Sequence, residues 1–338
     1  MAKPSRTLRY KVLMVVVLLV IVAWSVLWFT AAAVVDRHAE KAQHSVRDQG
    51  AIAECINRSV TGFPFRIEVR CDHGSRVGGQ MATLTIDGLT AAALIYNPSR
   101  LIVEARSPVV LSQLGHDDVV ARWGLAHASA RLDLSDRALD RFDAEIQNGA
   151  IEFAPDQPID FTELDVNARR NPSDQTSMDI AVRLSDVRPL PGALPASLNV
   201  RGTLHDGAAL LSADPNAALR ALARKGLTVT LDSATVESGP MLVSLTGEMT
   251  LSANGTMNGA LEVALAGYGD ELPYLSDLAP STAETVQTLL GNLLAFAPEK
   301  TVGGRTAKTI ALTVKDGQVS AGLIPLFKIP PVGLPRFG

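Results

Sequence analysis

Phe65-Arg66-Ile67-Glu68-Val69-Arg70-Cys71 alternates apolar and charged residues without a break. Successive side chains of an extended chain point to opposite faces, so this period of two reads as a half-buried strand. The alternation returns downstream at Phe142, Ala144 and Ile146, at Ile180, Val182 and Leu184, at Val243 and Leu245, at Met249 and Leu251, at Leu261 and Val263, and at Ile310 and Leu312. Asp87-Gly88, Asn148-Gly149, Asn254-Gly255, Asn258-Gly259 and Asp316-Gly317 stand between such runs and are expected to form tight hairpin turns, which require positive φ. The predicted fold class is mainly β with a few helices, dominated by a large, mostly antiparallel, curved sheet with one apolar face.

Upstream of the first strand, Val12–Val35 runs twenty-four residues without a charge, behind Lys3, Arg6, Arg9 and Lys11. About twenty apolar residues at 1.5 Å each cross a hydrocarbon core of roughly 30 Å, so one transmembrane helix is expected over 12–35. The basic cluster over 1–11 keeps the N-terminus cytoplasmic, which puts the main domain in the periplasm of a bacterial inner-membrane protein. Ala31, Ala32 and Ala33 offer the small residues of a cleaved signal peptide instead. Against that, the run exceeds the usual apolar core of such peptides, and Trp24, Trp28 and Phe29 sit where an interfacial aromatic belt belongs.

Ala39, Ala42, Val46, Ile52 and Ile56 recur at roughly helical spacing, which predicts a helical stalk over 36–60. The β-rich domain then spans 61–325, with possible halves 61–190 and 196–325 divided by the loop-rich Pro189–Pro195, and a Pro-rich tail follows over 326–338. Two helices interrupt the strands. Pro215–Lys225 stops at Gly226, and Ser281 with Glu284 forms a capping box before Val286, Leu289, Leu290, Leu293 and Leu294. Pro325, Pro330, Pro331 and Pro335 bar the tail from any central strand.

Net charge is −4, and removing the four basic residues ahead of the apolar run leaves 27 Lys and Arg against 35 Asp and Glu. That acidity disfavours nucleic acid as a partner. The two cysteines, Cys55 and Cys71, lie on the oxidising side and are expected to form a disulfide. Two thiols and a nearby imidazole at His73 are too few for a closed zinc site. His116-Asp117-Asp118 reads as a solvated cluster, because neighbours in a loop point in different directions.

No G-x-S-x-G elbow, S-x-x-K pair, Walker loop or G-x-G-x-x-G occurs in the sequence. The expectation is a protein without catalytic residues, metal or cofactor. Its apolar sheet face either packs a core beneath the helices or lies partly open as a groove for acyl chains, lined by Ile180, Val182, Leu245, Leu251, Val263 and Leu312. The alternative is an envelope scaffold that docks other proteins through sheet edges or the Pro-rich tail, and an uncharacterised hydrolase is a third reading.

The order of segments resembles a bacterial family known as domain of unknown function 2125. The residues that carry the resemblance are the single N-terminal anchor, Gly62-Phe63-Pro64-Phe65, Ala93-Leu94-Ile95-Tyr96-Asn97-Pro98 leading into Leu101-Ile102-Val103, and Asp316-Gly317-Gln318-Val319 before Ile329-Pro330-Pro331. The resemblance implies topology and location and assigns no activity. Gly247-Glu248-Met249-Thr250-Leu251 and Gly259-Ala260-Leu261-Glu262-Val263 are similar, more loosely, to the G-x-L-x-L hairpins of AsmA-like envelope proteins, which are β-rich, membrane-anchored and associated with lipid transport.

Overall fold

The computed structural model describes residues 6–48, 51–79, 81–133, 135, 138–153, 158–188, 194–212, 215–267 and 294–331. It forms two compact units, Met1–Ser129 and Ala130–Gly338.

In the first unit, helix α1 runs Arg6–Asp48 and is followed by the short strands β1 (Ile52–Glu54) and β2 (Ser59–Thr61). The long strands β3 (Arg66–Gly78), β4 (Ala82–Leu94) and β5 (Asn97–Gln113) then form an antiparallel meander, with β6 (Val119–Arg122) added to β5. β1 and β2 share one edge of β3, pairing Ile52 with Gly78 and Ser59 with Arg70. The opening motif Arg66–Cys71 is therefore a strand flanked on both sides, and Glu68 within it is buried between Arg66 and Arg70.

The expected stalk over 36–60 is corrected: the helix ends at Asp48, and Ile52 and Ile56 are not helical. Pairing to the β3 edge supplies the backbone partners that a continued helix would have used, and the edge is locked by Arg76 Nε and Nη2 donating to Glu54 Oε2 at 3.1 and 2.8 Å. Cys55 and Cys71 form the expected disulfide, with a Cα–Cα distance of 5.0 Å. The bridge ties the β1–β2 connection to β3 and does not staple the helix.

The second unit takes over within β7 (Leu125–Asp133). It contains β8 (Ala138–Glu152), β9 (Pro158–Arg170), β10 (Met178–Val187), β11 (Ala196–Leu204), β12 (Leu227–Ser238), β13 (Met241–Leu251) and β14 (Met257–Ala266). After these come β15 (Glu299–Val302), β16 (Arg305–Lys315), β17 (Gln318–Ala321) and β18 (Ile324–Lys328). Consecutive strands from β8 to β14 pair antiparallel, β14 passes to β16, and β17 and β18 complete the meander while β15 folds back on β16. A 3-10 turn at Gly207–Leu211 and helix α2 (Pro215–Lys225) connect β11 to β12. α2 stops as expected at Gly226, whose φ is +96° and whose amide donates to Leu222 O.

β10 and β11 pair directly across the loop-rich stretch 189–195, most of which lies outside the described residues. The capping-box helix begun at Ser281 also lies outside them. Pro325 stands in β18, an edge strand, where a missing amide is tolerated.

Of the five expected hairpin dipeptides, Asn254-Gly255 and Asp316-Gly317 are turns. The other three lie inside strands: Gly88 faces Arg106, Gly149 faces Phe161 and Gly259 faces Met249 across the ladder. A Cβ on any of the three would collide with that partner. Gly149 leaves space beneath the Phe161 ring and Gly259 allows the close approach of the Glu248 and Met249 backbone, whereas the neighbour of Gly88 is the flexible end of Arg106. Such demands are set across the sheet and leave no local trace.

Candidate functional site

Strand registry in the second unit brings the predicted groove residues onto one face. Ala144, Val166, Val182, Val200, Ala234, Leu245, Val263 and Ile310 lie opposite one another in turn, forming one apolar row across eight strands. A second row flanks it, from Ile146 through Leu164, Leu184, Leu198, Val236 and Val243 to Leu265. On the other side run Phe142, Ala168, Ile180, Gly202, Leu231, Gly247, Leu261 and Leu312. Leu251 lies farther along the same face, opposite Leu227 and Met257.

This continuity depends on a bulge at Asp232-Ser233 in β12. Ladder pairing passes from Leu231 opposite Gly247 to Ala234 opposite Leu245, so three residues of β12 match two of β13. Without the extra residue the alternation would send Ala234 and Val236 to the polar face.

Burial separates the six candidates. Ile180 packs against the buried cluster Met178, Leu204 and Leu211, where the 3-10 turn covers one end of the face. Val182, Leu245, Leu251, Val263 and Leu312 are half-buried, as is every member of the eight-strand row. The deepest apolar residues of β13, β14 and β16, namely Leu242, Ala264, Ala266 and Ala307, belong to the opposite face, where Val302 of β15 packs on them. Buried apolar residues thus lie on both sides of this part of the sheet, since Val314 of β16 and its ladder partner Val319 are buried at the end of the apolar face itself.

That opposite face also carries a depression of about 560 Å3 that sequence reasoning missed, lined by Arg141, Asp143, Asn167, Arg169, Asp179 and Arg201 among others. Its charges are largely matched in pairs. Arg141 donates to both oxygens of Asp143 at 2.7 and 2.9 Å, and Arg169 Nε donates to Asp179 at 3.0 Å. Asp143, through its hydrogen bond first and its charge second, holds the Arg141 guanidinium above its ordinary pKa. The only sequence signal was same-face i, i+2 spacing, as in Arg141 and Asp143, which exposed strand faces share generally.

Among the described residues, no group of three or more His, Cys, Asp or Glu is placed to hold a metal ion. His116, Asp117 and Asp118 are all exposed. The remaining site is the N-terminal helix: from Val12 to Val22 its side chains are exposed, and its length and apolar composition suffice to cross a membrane.

These features define a β-rich protein with one apolar N-terminal helix, a disulfide suited to an oxidising compartment and an extended, half-covered apolar sheet face. The chain belongs to the family domain of unknown function 2125, described as an uncharacterized protein conserved in bacteria, whose model matches residues 28–330. The match carries no AsmA-like assignment. No curated protein and no solved structure matches the chain.

Proposed function

We propose that this is a single-pass bacterial inner-membrane protein, N-terminus cytoplasmic and β-rich domain periplasmic, that holds lipid acyl chains on the apolar face of its sheet and serves envelope homeostasis without catalysing a reaction. The observation that carries the reading is the row from Ala144 to Ile310, eight strands wide and only half-buried throughout. Whatever part of that contiguous apolar face stays accessible is costly to leave against water, at roughly 25 cal/mol per Å2, and a lipid chain laid on it would remove that cost. Acyl chains need no polar contact, which fits a face with no obligatory polar residue.

The test is mass spectrometry of lipid extracted from the purified full-length protein, compared with Leu245→Glu. Acyl lipid in stoichiometric amount, reduced severalfold in a folded Leu245→Glu variant, supports the reading. Lipid-free wild-type protein, or equal lipid in both, overturns it.

The second reading, a scaffold for other envelope proteins, is favoured by the β18 edge, where Leu323, Ile324 and Phe327 are exposed. Deleting the residues after Ile324 separates the two: loss of a co-purifying protein with unchanged lipid favours the scaffold.

A further inference from the structure

Two indoles of helix α1 are hydrogen-bonded to the loop that precedes β3 and to the first residue of that strand. Trp24 Nε1 donates to Pro64 O and Trp28 Nε1 donates to Arg66 O, both at 2.8 Å. Phe63 closes the contact, edge-on to Trp28 at 5.5 Å and stacked with Phe29 at 5.9 Å between ring centroids. The loop in turn holds the β4–β5 hairpin tip, because Ile95 N donates to Phe65 O at 3.0 Å. Four large aromatic side chains around this junction face outward: Phe29, Phe63, Phe65 and Tyr96 are 62, 51, 62 and 69 % exposed.

The position of the junction along the helix decides what covers those rings. The first charge after Lys11 is Asp36, and at 1.5 Å per residue Trp24 lies about 18 Å before it. The polar interfacial layer on each side of a bilayer is only about 5–8 Å thick. If α1 spans the membrane, the loop bound to Trp24 is therefore carried into the outer leaflet. Backbone carbonyls at that depth find little water, and the two indole N–H groups supply donors to those of Pro64 and Arg66. Aromatic rings, and a tyrosine above all, are the side chains suited to the boundary between headgroups and acyl chains.

We infer that the Gly62–Phe65 loop and the Tyr96 hairpin tip insert into the outer leaflet of the phospholipid bilayer beside α1, making a second membrane contact. The inference rests on the reading of α1 as a membrane span. The occupant of the patch is lipid because the patch continues the exposed apolar surface of the helix itself. The opposite ends of the same strands provide a control: Met81 and Leu114 are as exposed, at 71 and 72 %, and lie a thirteen-residue strand away, about 40 Å.

The test uses the full chain with p-benzoylphenylalanine placed singly at Leu18, Phe65, Tyr96 or Leu114. Each protein is reconstituted in vesicles of phosphatidylethanolamine and phosphatidylglycerol carrying an acyl-labelled lipid, then irradiated. Replacing one exposed side chain by an aromatic leaves the fold intact, and persistence of the disulfide on a non-reducing gel checks it. The expected result is acyl adduct at Leu18, Phe65 and Tyr96, severalfold above that at Leu114. Adduct at Leu18 alone overturns the inference and leaves the span standing. Adduct at Phe65 and Tyr96 without Leu18 upholds the contact and removes the span, and silence at all three removes both. Equal adduct at Leu114, or cross-linking of Phe65 and Tyr96 to protein in place of lipid, also overturns the inference.

Discussion

Arg58 Nε donates to Asp36 Oδ1 at 2.7 Å, so the first charged residue after the apolar run is paired with the connection between β1 and β2. The same guanidinium reaches Gln43 Oε1 at 2.9 Å, one helical stretch farther on. Arg58 is 18 % exposed and so is screened less than a surface partner would be. One side chain thus holds the helix segment beyond Val35 against the β1–β2 edge.

Replacing Arg58 with Met is expected to loosen that seat while keeping most of the apolar stem. Hydrogen bonds to charged groups contribute about 1.5–3 kcal/mol, and the loss falls in that range where the pair is partly buried. Limited proteolysis after Asp36 reads it: cleavage between Arg37 and Arg58 should accelerate in the variant. An unchanged cleavage rate refutes the role.

The Cys55–Cys71 bridge closes a loop of 16 residues in sequence separation. Loop-closure entropy assigns it about 3 kcal/mol. Chemical denaturation of the paired Cys55→Ser, Cys71→Ser protein should show a loss of that order, confined to the first unit. Labelling of the reduced thiols by an impermeant reagent in vesicles of known sidedness also tests the proposed orientation, since cytoplasmic thiols contradict it.

Gly247 sits on the apolar face with φ +139°, and a Cβ there would run into the backbone of Ala260 and Leu261 on β14. Gly247→Ala is expected to cost about 1–3 kcal/mol and to shift the β13–β14 registry. Thermal unfolding together with amide exchange of β14 measures it; a variant with unaltered exchange at Leu261 disproves the constraint.

Asp174, in the connection from β9 to β10, accepts from Ser177 Oγ at 2.5 Å, Thr176 Oγ1 at 2.7 Å and Thr176 N at 3.1 Å. These donors, Ser177 first, hold its carboxyl below the ordinary aspartate value. A carboxyl depressed in the folded state contributes its full stability above the unfolded value, about 3.9, and that contribution fades as pH falls through the lower folded value. Carbon-detected titration of Asp174 should give a midpoint under about 3.9, and Ser177→Ala should raise it. A midpoint at or above the free value rules out the network.

Much of the fold was legible because a half-buried strand writes its period into the chain: Arg66–Cys71 and the runs through Val182 and Val263 are all strands. Capping chemistry was equally local, and Gly226 ends its helix as its lack of Cβ permits. Cross-strand demands were not legible. Gly149 looks like a turn residue until Phe161 is seen above it, and the bulge at Asp232 becomes visible only when β13 fixes the registry. The end of α1 was misjudged because Ile52 and Ile56 keep helical spacing while edge pairing to β3 wins the backbone. For the candidate face, parity along each strand placed the six named side chains on one side of the sheet, but which residues of each side are covered depends on neighbours far away in sequence, such as Val302 of β15.

The grip of Trp24 and Trp28 on the carbonyls of Pro64 and Arg66 makes a stiff joint out of what would ordinarily be a tether. A strand leashed by a loose linker samples many heights and tilts, whereas β3, bolted at two points a turn apart, keeps one height and one heading along α1. Its seat is then a matter of architecture and not of diffusion, so residues inserted after Asp36 would leave the hairpin tip beside the same turn of α1.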